Sequence, residues 1–238
     1  MNATDVNRSI RSIVGPVLKA EGFEIVTARS RWRHRADTID VVNFQSFNRY
    51  NADVLGCSTF SFAVNLAVYL NAIPEEHPIS VRAGRVCPHE YESHIRRRLL
   101  PQSPSLPKAP DIWVIEEQGE NLEETVRTVK TELREVGLPW LAAFQDLPRV
   151  LGMLRDRVPP PDRLTWLPGN TDSPARNRAV GYVALALGEK SIAAEHLRRA
   201  LDQLRAFDSE HEKKRLRIAK MVPRSLEETV LQLERGSA

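Results

Sequence analysis

The chain has 238 residues, 42% hydrophobic and 27% charged, a globular balance that supports a sizeable core. Against 31 acidic residues, 34 basic ones give a formal charge of +3, too little for a nucleic-acid coat unless the charge is clustered. No run of about 18 apolar residues and no secretory core at the start occur, so neither a spanning helix nor a signal peptide is expected.

Thr4 can cap a first helix running to about Glu21, in which Val6, Ile10, Ile13, Val14, Val17 and Leu18 recur at helical spacing. Pro16 falls inside this pattern and should kink the helix or end its regular part, and Gly22 suits the stop. The period then drops to two. Phe23, Ile25 and Val26 open an extended segment that leads into Thr27–Asp37, where Arg29, Arg31, Arg33 and Arg35 alternate and Trp32 lies between them. Asp37-Thr38 can turn the chain, and 38–47 reads as a strand. In STFSFAVNLAVYL, Phe60, Phe62, Val64, Leu66, Val68 and Leu70 alternate with Ser61, Ala63, Asn65, Ala67 and Tyr69. That alternation predicts a half-buried antiparallel strand. Weaker strands are expected over 92–99 and 111–116. The four prolines of PQSPSLPKAP make a loop between them.

From Asn121 the period is helical. Leu122, Val126, Val129, Leu133 and Val136 form one stripe that Gly137 ends, and shorter helices are predicted at about 139–145 and 147–156. Pro159, Pro160 and Pro161 make a second break, after which everything from Ser173 reads as helix. Gly181, Gly188, Ala193, Leu197 and Ala200 carry the spacing of a tetratricopeptide-like helical hairpin over 174–206. It is a single unit, expected to dock on the sheet. The fold class expected is α+β: a mainly antiparallel sheet with an N-terminal helix over 1–119, and a helical region over 120–238. Cys57 and Cys87 are too few for a disulfide scaffold and read as reduced thiols of a cytoplasmic protein.

Gly22-Phe23, Trp32-Arg33, Val42-Asn43 with Gln45, Phe62, Asn65-Leu66, Arg96, Arg98, Asp111 and Trp113 follow one another in the order of a known pattern. With them the chain resembles the bacterial domain-of-unknown-function family four-three-zero-four, over roughly residues 6 to 145. That family carries no established activity, so the resemblance implies an α+β fold and no catalytic residues.

If Trp32 shares the core of Phe60–Leu70, Arg31 and Arg33 face away from it. With Val42 and Phe44 inward, Asn43 and Gln45 fall beside the arginines. One face then gathers Arg31, Arg33, Asn43, Gln45, Asn65, Tyr69, Arg96 and Arg98. Guanidinium forks suit carboxylates and phosphates, and amides orient polar ligands. The face points to an acidic protein partner or anionic ligand, held by a non-enzymatic binding module of the immunity, defence or adaptor type. Two alternatives use the same face: nucleic-acid binding, with the basic stretch His211–Lys220 adding charge, or an enzyme acting on a small anionic substrate. A solvated face whose charges discourage edge pairing would read the same way. No membrane partner, cofactor, metal or catalytic residue is expected. Cys87, His89 and His94 lack the paired spacing of structural zinc, and no hydrolase elbow, phosphate-binding glycine loop or metalloprotease helix is present.

Overall fold

The computed structural model describes residues 1–170, 172–213 and 221–235. They form two compact units, one of residues 1–69 with 79–145 and one of 70–78 with 146–238. Among the described residues, no helix is long and apolar enough to cross a membrane. Most of the basic stretch His211–Lys220 lies outside the described residues.

The first unit opens with α1 (Ala3–Ile13) and α2 (Gly15–Ala20). Asn2, not Thr4, caps α1: its side chain accepts from Thr4 and Asp5 N–H, and the Asp5 carboxylate accepts from Asn2 N–H. Pro16 falls in the first turn of α2, where its missing N–H costs no helical bond, so the helix is interrupted at Val14. Gly22 then takes a left-handed φ of +85° that most residues avoid, and turns the chain into the sheet.

The sheet consists of β1 (Ile25–Val26), β2 (Ser30–His34), β3 (Thr38–Ser46), β4 (Phe62–Leu70), β7 (Ile95–Leu99) and β8 (Ile112–Trp113). Its order is β1-β2-β3-β4-β7, with β8 pairing the start of β4. Between these strands lie α3 (Arg49–Leu55) and a two-stranded ribbon of β5 (Val81–Arg82) and β6 (Arg85–Val86). The unit closes with α4 (Leu122–Glu132), a π-helical turn over Leu133–Gly137 and α5 (Leu138–Ala142), which follow one another without a break.

Every residue of β4 is buried, so the half-buried strand expected from its alternation is a strand covered on both faces. On the Leu66 side the helices pack. A Cβ added at Gly137 would come within 3.3 Å of Leu66 and 3.7 Å of Leu99, which is why α4 and α5 belong with the sheet and not with the later helices. On the Ala67 side, Trp32, Ile39, Val41, Ala67, Tyr69 and Cys87 form a cluster that Ile79 and Val86 help to close. Farther along the same side, Ala63, Ala109 and Ile112 pack with Phe47, Leu55 and Leu106.

The second unit contains α6 (Leu147–Leu154), α7 (Pro174–Ala186), α8 (Lys190–Lys213) and α9 (Arg224–Arg235). α7 and α8 form a helical hairpin that turns at Gly188. A side chain at Gly181 would meet Leu197 Cγ at 2.5 Å, so the small residue is what lets the two helices approach. Buried Arg176 ties the connections together, donating to the carbonyls of Leu154, Pro168 and Gly169.

Candidate functional site

Residues directly opposite one another in an antiparallel pair share a face. Across β2 and β3, Trp32 opposes Val41, Arg31 opposes Val42 and Arg33 opposes Asp40. Across β4 and β7, Asn65 opposes Arg98 and Ala67 opposes Arg96. Asn65 reaches Asn43 and Gln45, and Trp32 clusters with Ala67. Asn43, Gln45, Asn65, Tyr69, Arg96 and Arg98 therefore share the Trp32 side. Arg31 and Arg33 lie on the helix side. The single face of eight residues does not form, because Trp32 has its own core beneath the β5–β6 ribbon and does not join the core of Leu66.

On the helix side, Arg33 is part of the framework. Its Nε donates to Asp40 Oδ2 at 2.8 Å, and Arg35 Nε donates to the same oxygen at 2.9 Å. Arg33 Nη1 donates to the Glu21 carbonyl at 2.9 Å, and the guanidinium lies 4.7 Å from the Phe23 ring centre. A side chain at Gly22 would touch Arg33 Cδ at 3.6 Å. The Gly22-Phe23 and Trp32-Arg33 pairs thus mark one tether between the end of α2 and the sheet. Burial pushes the Asp40 carboxyl up, and the two guanidiniums pull it back.

On the other side a polar band crosses the strands between the two apolar clusters. Asn43 Nδ2 donates to Ser30 Oγ at 2.9 Å. Asn65 Nδ2 has three acceptors: Asn43 Oδ1 at 3.0 Å, Gln45 Oε1 at 3.2 Å and Glu90 Oε1 at 3.2 Å. Ala63 and Ala67 flank Asn65 on its own strand, and Asn65 itself is buried. Glu90 arrives on a 3-10 turn, Glu90–Glu92, whose Tyr91 is 63% exposed and stacks on His89 at 5.1 Å. Half-buried Arg96 and Arg98 continue the band on β7. Arg98 meets Asp111 at 3.5 Å, with 38% of the arginine side chain exposed, and among the described residues its Nη1 has no acceptor.

Tyr69 belongs to this side but not to the band: its ring is buried with the Trp32 cluster and lies 4.6 Å from the His94 ring. Burial pulls His94 down to about 4. The three residues weighed for metal have separate contacts: Cys87 Sγ is 3.5 Å from the Arg85 carbonyl, His89 stacks on Tyr91, and His94 packs on Tyr69. Ser30 and Glu90 complete the band without a signal in the residue pattern. Glu90 comes from a turn remote in sequence, and only the fold brings it to Asn65.

A helix-backed, mainly antiparallel sheet with a polar band on its opposite side defines an α+β protein. Residues 14–143, more than half of the chain, match the family described as Domain of unknown function (DUF4304), and the chain belongs to that family. No curated protein and no solved structure matches.

Proposed function

We propose that the chain is a non-enzymatic binding module whose polar band receives an acidic segment of a protein partner, in an immunity, defence or adaptor role. The observation that carries this reading is the loose hold on Arg98. Its ion pair with Asp111 is long and partly exposed, and among the described residues one buried guanidinium nitrogen lacks an acceptor. Such a pair is worth about 0–1 kcal/mol, so an incoming carboxylate can displace it. The amides add a second kind of contact. The Asn65 amide has two hydrogens for three oxygens, so one acceptor remains for a partner's backbone N–H. Exposed Tyr91 beside Glu90 supplies the kind of aromatic that protein interfaces favour. The free thiols of Cys57 and Cys87 fit a reducing compartment, which on this reading is the cytoplasm.

The test is a titration of labelled poly-glutamate peptide with the full chain, beside poly-lysine and single-stranded DNA. The acidic peptide should bind in a salt-sensitive way. Changing Arg96→Glu and Arg98→Glu together should weaken binding at least about tenfold, or about 1.4 kcal/mol. Melting should stay nearly unchanged. DNA binding tighter than peptide would favour the nucleic-acid reading, and unchanged peptide affinity in the double variant would sink the proposal.

A further inference from the structure

Arg31, like Arg29, is an arginine of the alternating run that pairs with no carboxylate among the described residues. It is 2% exposed. Nη1 donates to the carbonyls of Thr27 and Ser30, and among the described residues no carboxylate pairs with the guanidinium. A buried cation held only by neutral carbonyls is costly, and an anion normally completes such a site. Arg29, two positions earlier, also leaves its Nη1 buried without an acceptor. Burial and the nearby Arg11 pull the Arg31 guanidinium down to about 10, as expected where positive charge outweighs negative.

Arg31 lines a cleft of about 630 Å³ between the α1–α2 helices and β1, a volume within the range of small-molecule sites. Arg11 and Lys19, both exposed, line it with Arg31. Pro16, Phe23 and Val26 give it apolar walls. The one acid there, Glu24, is engaged with Arg85 at 3.1 Å. Cationic groups above apolar walls match a molecule with one anionic head and an apolar body.

We propose that this cleft binds a small organic acid, its carboxylate on Arg31 and its apolar part against Pro16, Phe23 and Val26. The site is separate from the polar band: Arg31 and the band lie on opposite sides of the sheet, and neither proposal depends on the other. Arg31 supplies a planar fork suited to a carboxylate. Arg11 and Lys19 draw the anion toward the entrance without the geometric demand of a buried contact.

Calorimetric titration of the full chain with octanoate tests the proposal, with octanol and inorganic phosphate as controls. Octanoate should bind saturably at one site, and each control at least tenfold more weakly. Two variants follow, each checked for folding by circular dichroism. Arg31→Gln should reduce octanoate affinity at least tenfold. Should that change disrupt folding, Arg11→Glu with Lys19→Glu, both at exposed positions, carries the test and should also weaken binding at least tenfold. The proposal is overturned if octanoate does not bind, if octanol or phosphate binds as tightly, or if affinity survives in a folded variant.

Discussion

Arg33 and Arg98 lie on opposite sides of one sheet, and each has an aspartate for a partner. Asp40 meets Arg33 at 2.8 Å and is 1% exposed, whereas Asp111 meets Arg98 at 3.5 Å in a setting that solvent reaches. Buried, the pair is framework, because removing one member strands the other charge. Near solvent, the pair is an exchangeable contact. An alternating run of arginines therefore does not mark a binding face by itself. Depth and the nearest carboxylate decide which arginines remain available.

Trp32→Ala would test the comparison most severely, since it asks whether the Arg98 side has a core of its own. The indole buries about 200 Å² and donates to the Pro88 carbonyl at 2.7 Å. A loss of about 5 kcal/mol is expected in chemical unfolding. A loss below about 1 kcal/mol, the size of a surface change, would remove that core. Next comes Asp40→Ala, which removes the buried carboxylate that Arg33 and Arg35 share and should cost about 4 kcal/mol. If it matched Asp111→Ala, the contrast between the two pairs would fail.

His94 sharpens the comparison through pH. Burial holds its folded-state value at about 4, below the ordinary 6.5, so the unfolded chain binds the proton more readily. The stability that the neutral ring contributes is complete above about pH 6.5 and is lost as pH falls toward 4. The loss amounts to about 3 kcal/mol. The stabilities of the parent and of His94→Gln, measured across this window, should diverge by that amount in total, and parallel pH profiles would contradict it. The smallest effect belongs to Arg98→Ala, which should change stability by less than about 1 kcal/mol. A larger loss in thermal melts would make Arg98 framework too.

Much of the fold was legible. The helical stripes, the alternation of β4 and the small residue beneath Leu197 each follow from local spacing. The relation between strands was legible as well, but through the turn and not through hydrophobicity. Arg35 N–H donates to the Thr38 carbonyl at 2.8 Å, so Ala36 and Asp37 form a two-residue connection. Such a connection pairs odd positions with even ones. It sets Arg33 opposite Asp40 and moves Asn43 to the side of Trp32. Grouping Trp32 with Val42 because both are apolar assumed that the sheet has one core, and it has one on each side. The contribution of Glu90, and the cover that the β5–β6 ribbon gives Trp32, arise from contacts distant in sequence that no local period encodes.

The π-helical turn at Leu133–Gly137 has a further consequence, in the phase of the helix. A regular helix advances about 100° per residue, and a π turn accommodates one residue more than that winding allows. Before the turn, Val126 and Val129 are buried, and Leu133 is buried where the turn begins; after it, Trp140 and Leu141 are. Deleting exposed Glu135 would remove the extra residue, let the rod wind regularly and leave the phase beyond it unchanged. Winding the same residues regularly, with none deleted, would instead turn Trp140 by about 100° away from its buried position. The extra residue acts as a phase correction that returns one rod's apolar side to the interior a second time.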